Sequence, residues 1–158
     1  MSGYRVVRDY PHSSRKVWRA LTDPELVPLW TTAGRGGRPE GFQPVAGTHF
    51  RFVARPIRPF WDGIVRCEVL DVEPPRLLRY SWLGDEGAQP SIVTCTIEPT
   101  SMGARLTWDH TAFAGIDGWM MAKLLGHVRR NMLDDPAAGF PAVLERLDDA
   151  GNMLEPIG

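Results

Sequence analysis

The sequence predicts an α+β fold: a curved antiparallel sheet of six strands wrapped around C-terminal helices, with two short helices after the first strand. Three observations predict it. From Trp61 to Trp82 apolar and polar residues alternate with a period of two on either side of Glu73-Pro74-Pro75-Arg76, which is the mark of half-buried strands joined by a turn. Five strand-like segments follow one another with links too short for anything but hairpins, so the sheet is an antiparallel meander. From Ile116 onward the apolar spacing changes to three and four, and these helices are the available cover for the sheet's apolar face.

Tyr4 to Asp9 is the first strand, ended by Pro11. Ser13 or Ser14 caps a helix that runs through Thr22, with Val17, Trp18 and Leu21 as its apolar stripe. Asp23-Pro24-Glu25 is a second start signal, with an acid at the cap and proline at the first helical position, and Leu26, Leu29 and Trp30 make that short helix amphipathic. Thr31 to Gly47 is rich in Gly, Pro and Arg and is expected to be a mobile loop. Within it Arg35-Gly-Gly-Arg38 is either a solvated loop or an anion cradle.

Thr48 to Ala54 is the next strand, with Phe50 and Phe52 on one face. In the long hairpin Trp61, Gly63, Val65, Cys67 and Val69 share the inward face, and Leu78, Tyr80 and Trp82 share the matching face of the return strand. The small residues Gly63 and Cys67 read as gaps in a bulky wall. Ser91 to Glu98 turns Val93, Cys95 and Ile97 inward, and Ala104 to Ala112 turns Leu106, Trp108 and His110 inward. A single β-bulge would invert every inward assignment beyond it. Met121, Leu124, Leu125, Val128 and Met132 form one helical stripe, and Phe140, Val143, Leu144 and Leu147 another, with Gly151 as a C-terminal cap.

A chain of 158 residues fits one domain, and residues 152–158 read as a flexible tail. A net charge of −1 sets up no field that favours nucleic acid or an anionic membrane. No apolar run approaches the roughly 20 residues of a membrane span, and the first residues hold no apolar signal core, so a cytoplasmic protein without membrane insertion is expected. Arginine outnumbers lysine sixteen to two, a codon-usage hint of a GC-rich bacterial source. Cys67 and Cys95 fall on strands separated by a third, about 9 to 10 Å apart, too far for a disulfide. The four histidines, His12, His49, His110 and His127, lack the spacing of a zinc site, so no metal and no cofactor is expected.

Lys16-Val17-Trp18-Arg19-Ala20-Leu21-Thr22-Asp23-Pro24-Glu25 followed by Trp30 resembles the helix signature of the SRPBCC (START-like) superfamily, and more closely the branch named for the activator of the heat-shock-protein ATPase. Gly47-Thr48-His49-Phe50, Trp61-Asp62-Gly63, Glu73-Pro74-Pro75-Arg76-Leu77, Tyr80-Ser81-Trp82, Gly103-Ala104-Arg105-Leu106-Thr107 and Gly139-Phe140 are similar in order. The resemblance covers about residues 4 to 150. It implies a helix-grip fold with a cavity between sheet and C-terminal helix, of the kind in which relatives hold lipids, sterols, polyketides or other apolar molecules. A few relatives are cyclases or hydrolases, and the eukaryotic branch name reflects a co-chaperone module.

Three functions follow as expectations. The first is binding of a small apolar ligand, lipid-like or aromatic, against Phe50, Phe52, Trp61, Val65 and Cys67, with Tyr80, Trp82, Val93, Leu106 and Trp108 opposite. His110, Met121 and Leu125 complete that lining. The second is a cyclase, dehydratase or hydrolase using His110 as acid/base and Tyr80 as hydrogen-bond donor, where the competing reading is a satisfied histidine at the sheet rim. The third is a co-chaperone-like interaction module, with a filled interior and an exposed patch. A homodimer through Trp30 or the Ile116–Met132 helix is a further expectation, and Arg129 and Arg130 read as solvated.

Overall fold

The computed structural model describes residues 2–31, 37–56, 59, 62–84, 89–113 and 115–154. The chain runs β1 (Ser2–Tyr10), α1 (Ser14–Thr22), α2 (Val27–Trp30), β2 (Arg38–Glu40), β3 (His49–Val53), β4 (Ile64–Glu73), β5 (Leu77–Leu83), β6 (Ser91–Thr100), β7 (Gly103–Phe113), α3 (Gly115–Asp134) and α4 (Phe140–Leu144). The strands form one antiparallel sheet in the order β1-β7-β6-β5-β4-β3-β2. The meander expected from the short links is therefore present, closed on one side by the first strand pairing with the last.

The sheet has seven strands, not the expected six. The addition is β2, inside the stretch read as a loop. Pro39 sits in it without harm because β2 is an edge strand, paired only with β3, and a missing N–H costs nothing where no neighbour asks for it. Arg38, half of the candidate anion cradle, is engaged by Glu40 at 2.7 Å, and Glu40 also accepts from Arg51. Arg35 lies outside the described residues, as does Trp61.

Local chemistry accounts for the helices. The Ser13 hydroxyl accepts from the Lys16 N–H at 3.2 Å and caps α1. Asp23 ends α1 and starts the next turn, its carboxylate accepting from the Glu25 N–H and its carbonyl from the N–H groups of Leu26 and Val27. The Trp30 indole then donates to the Ala20 carbonyl at 2.8 Å, locking α2 to α1. Trp30 is 3% exposed, which removes it from any dimer surface. Among the described residues no helix is long and apolar enough to cross a membrane.

Two backbone features decide where side chains point. Gly63 has φ +82°, and a Cβ there would strike the Ala54 carbonyl. It closes the β3–β4 hairpin and is not a gap in a pocket wall. In β4 the ladder slips between Val69 and Asp71: Val69 faces Tyr80, Asp71 faces Arg79, and Leu70 has no counterpart. Beyond this bulge the parity inverts, so Val72 packs against the core and pairs with Leu78.

α3 lies across β1 and β7, while α4 packs with α1, α2 and α3. α3 thus covers the β1–β7 side of the sheet, and α4 reaches the sheet through Phe140 against Tyr10. The buried face of α3 is Ala122, Gly126, Arg129 and Leu133, at helical spacing. The stripe expected from sequence is rotated away from this face: Met121 and Leu124 are exposed, and Leu125, Val128 and Met132 are half-buried. Gly126 lies where helix and strand come close: a Cβ there would sit 3.1 Å from Cβ and Cγ of Tyr4, which would have to give by a few tenths of an ångström. Phe140 of α4 is fully buried, with ring centroids 5.3 Å from Tyr10 and 5.0 Å from Trp30. The Tyr10 hydroxyl donates to the Leu133 carbonyl at 2.8 Å, satisfying one of the acceptors that a helix end leaves open.

Candidate ligand-binding site

On the inner side of the sheet α3 lies over β1 and β7 and α1 over β6 and β7, and the inward residues of β6, Val93 and Cys95, are both inaccessible to solvent. Tyr80 and His110 flank Val93, and Leu78 and Trp108 flank Cys95. Small and medium side chains on the middle strand leave room for large rings on either side.

One aromatic chain starts at Phe42, passes through Phe50 and Phe52 to Tyr80 and Trp82, and ends at His110 and Tyr4. Successive centroids are 5.1 to 6.0 Å apart. Phe50 and Tyr80 are buried, whereas Phe52 and Trp82 remain partly open. The second ring group is Trp108, Trp30, Phe140 and Tyr10. Val65, Cys67, Val93 and Leu106 face the same interior and are buried. Leu125 borders it half-buried. Met121 does not reach it.

His110 is inaccessible to solvent and bridges the sheet from within. Its Nε2 lies 2.7 Å from the Ser91 hydroxyl and its Nδ1 3.3 Å from the Tyr4 hydroxyl; the Ser91 hydroxyl is also 3.3 Å from the Trp82 carbonyl. The tautomer that satisfies all three contacts runs in one direction. Tyr4 donates to Nδ1, Nε2–H donates to Ser91, and Ser91 donates to the backbone carbonyl. Burial, helped by the positive charge of Arg129, lowers the His110 pKa to about 3. The ring is therefore neutral at neutral pH, with both nitrogens engaged. That suits a structural bridge and not a general acid, which must arrive protonated.

Tyr80 behaves differently. Burial pushes its phenol well above the ordinary range, so it keeps its proton. Among the described residues the fully buried Trp108 Nε1–H has no hydrogen-bond partner, where buried polar groups are ordinarily paired.

Arg129 corrects the expectation of a solvated side chain. It is 8% exposed, and its guanidinium carbon stands 4.2 Å from the Trp108 ring centroid and 5.8 Å from that of Trp30. Its Nη1 donates to the Met132 sulfur at 3.4 Å, and its buried Nε–H has no partner among the described residues. No Asp or Glu is buried among the described residues. Burying an ion costs several kcal/mol even after the protein relaxes. A cation over a desolvated ring returns only about 2 kcal/mol. The sequence hid this residue because α3 carries apolar side chains on every side, so periodicity alone could not select its inner face. The signal that points to it is Gly126 three residues earlier, a glycine inside a long helix where a strand must come close. Tyr4 and Ser91, also missed, are ordinary strand residues whose role depends on the register that sets them beside His110.

Elsewhere on α3, Trp119, Met120, Met121 and Leu124 form an exposed apolar surface at 46% to 60% exposure. The Lys123 ammonium lies 4.2 Å over the Trp119 ring.

Among solved structures, protein MLL2253 from Mesorhizobium loti is 29% identical, matched over 93% of this chain and 99% of its own, with a TM-score of 0.71. Protein SA2116 of Staphylococcus aureus, of unknown function, has a TM-score of 0.70 at 14% identity over 91% of this chain and 93% of its own. CalU16 from Micromonospora echinospora has a TM-score of 0.57 at 21% identity, over 90% of this chain and 81% of its own. These last two share the fold. No curated protein sequence matches significantly. The profile of the family described as activator of Hsp90 ATPase homolog 1-like protein matches residues 11–150, nearly the whole chain. Sheet, helices and sequence together place the chain in the activator of Hsp90 ATPase homolog 1-like family.

Proposed function

We propose that the protein binds a small apolar ligand between the sheet and helices α3 and α4. The observation that carries this reading is the pair of unspent buried donors, the Trp108 Nε1–H and the Arg129 Nε–H, set beside a wall of aromatic rings. An inert core would avoid such groups or pair them, whereas a ligand site uses a few polar groups in an apolar lining to fix orientation. Phe52 and Trp82, partly open at one end of the wall, are the rings an entering ligand meets first. Micromolar affinity needs about 8 kcal/mol net, within reach of a ligand that buries a few medium-sized side-chain equivalents of surface at about 1.5 to 3 kcal/mol each. The reading requires no cofactor and is compatible with a cytoplasmic protein. It is favoured over an enzyme using His110 and Tyr80 because the neutral, doubly bonded His110 ring is poorly placed to move protons.

Mass spectrometry of protein purified from its own host, native beside denaturing, tests it. An additional mass that departs on denaturation supports the reading. A bare polypeptide that also fails to bind apolar probes overturns it.

A second reading, an interaction surface, is favoured by the exposed Trp119, Met120, Met121 and Leu124 of α3. The occupant it commits to is a second copy of the chain, since one apolar helix face can pack on its own symmetry mate. Sedimentation equilibrium of wild type and Leu124→Lys decides: a dimer abolished by the substitution supports it, and a monomeric wild type at tens of micromolar rejects it.

A further inference from the structure

We infer that the ligand carries an anionic oxygen, a carboxylate on an apolar body, and that Arg129 receives it. This rests on the ligand-binding reading and names the chemistry of the same site.

Arg129 is more than nine-tenths buried, and its Nε–H is fully buried and unpartnered among the described residues. A guanidinium has five N–H donors in a fixed fork, and here the only described partner is the weakly accepting sulfur of Met132. Its guanidinium carbon lies 4.2 Å from the Trp108 ring centroid, and its Nε–H is left without an acceptor among the described residues. The neighbours are donors too. Trp108 Nε1–H is unspent, and Ser91 and Tyr4 are committed to His110. Trp108, against which the guanidinium lies, is paired with Cys95 of β6.

Around Trp108 the interior therefore holds the positive charge of Arg129, unspent donors and, among the described residues, no buried carboxylate. A carboxylate complements all three facts. It brings the missing negative charge, and its two oxygens accept up to four hydrogen bonds with no hydrogen of their own to place. A neutral alcohol leaves the charge unmatched. An amine adds a second positive charge to a dry site.

Isothermal titration calorimetry at pH 7.5 with matched probes tests the inference: decanoate, 1-decanol and decylamine as the chain series, and 2-naphthoate and 2-naphthalenemethanol as the aromatic pair. The series that binds identifies whether the apolar body is a chain or a ring system. The expected result is that the carboxylate binds at least about tenfold tighter than its alcohol, with decylamine weaker still. Arg129→Met, which keeps the length and removes the charge, reduces that preference to about threefold or less while alcohol binding persists. Arg129→Lys keeps the charge without the fork and retains part of the preference. Circular dichroism confirms the fold of each variant, and if Arg129→Met does not fold, the wild-type ranking of carboxylate, alcohol and amine decides alone. Equal binding of carboxylate and alcohol, binding of decylamine as tight as decanoate, or an undiminished preference in folded Arg129→Met overturns the inference and leaves the ligand-binding reading standing. Failure of every probe to bind overturns the inference, and together with a bare polypeptide mass it overturns the ligand-binding reading as well.

Discussion

Replacing His110 with glutamine should make the protein less sensitive to acid. In the folded chain the imidazole has a pKa of about 3, against 6.5 for the free side chain. The unfolded chain takes up the proton as pH falls through 6.5, while the folded chain refuses it until about pH 3. The neutral ring's contribution to stability is therefore whole above 6.5 and drains away as pH falls, by up to ~1.4 kcal/mol per pH unit. Between pH 7.5 and 5.0 the loss from this residue alone comes to about 2 kcal/mol. Among the described groups around the ring none cancels it: Tyr4 and Ser91 are neutral partners, Trp82 is a ring neighbour, and Arg129 is a fixed cation that opposes protonation. Glutamine offers one donor and one acceptor to the same bridge and does not titrate. Asp9, Glu40 and Asp134, held below the ordinary carboxylate range by arginine partners, and His12, lowered chiefly by burial, contribute equally to both proteins and subtract out. The assay is urea unfolding of wild type and His110→Gln at pH 7.5 and 5.0. Wild type should lose about 2 kcal/mol more than the variant over that interval. Equal losses, or a His110 ring that titrates near 6.5 in nuclear magnetic resonance spectra of the folded protein, would refute the reasoning.

Other expectations are direct. Ser91→Ala leaves the buried Nε2–H of His110 without its 2.7 Å partner and should cost about 1–3 kcal/mol in denaturant unfolding; a neutral result would mean that the bridge runs another way. Gly126→Ala gains up to about 1 kcal/mol of helix propensity but forces Tyr4 aside, so its melting temperature should fall, and a rise would show that α3 does not lie against β1 as described. Cys67 and Cys95 are buried, and burial raises both thiols above their ordinary range, so neither should react with iodoacetamide at pH 8 until the protein is denatured.

The sheet was legible because its signal is redundant. Val65, Cys67, Val69, Tyr80, Val93, Leu106, Trp108 and His110 each obey a period of two, and short links leave antiparallel pairing as the only option. β2 was illegible because three residues containing a proline give no alternation to read, and an edge place is a fact of tertiary structure. On α3 the periodicity failed for the opposite reason: Met120, Met121, Leu124, Leu125, Val128, Met132 and Leu133 offer a stripe in almost any direction, and packing chose the one with the smallest residues. That choice brought Arg129 inside and left Met121 outside. The candidate site was thus legible in its aromatic wall and not in its charge, since a buried cation stacked on Trp108 leaves the same letter in the sequence as a solvated one.

The bulge at Leu70 has a consequence for how this chain can change length. Everywhere else in β4, removing one residue would turn the following side chains to the wrong face and bring Asp71 or Glu68 into the interior. At Leu70 the surplus already exists: without it, Val69 inward, Asp71 outward and Val72 inward follow in regular alternation, with Tyr80, Arg79 and Leu78 still opposite. A chain shortened by that one residue keeps its pairings and gives up only the local twist that a bulge adds. Relatives of this protein can therefore differ by one residue here while keeping the same wall, and their hairpins differ in how tightly they curl over whatever the wall encloses.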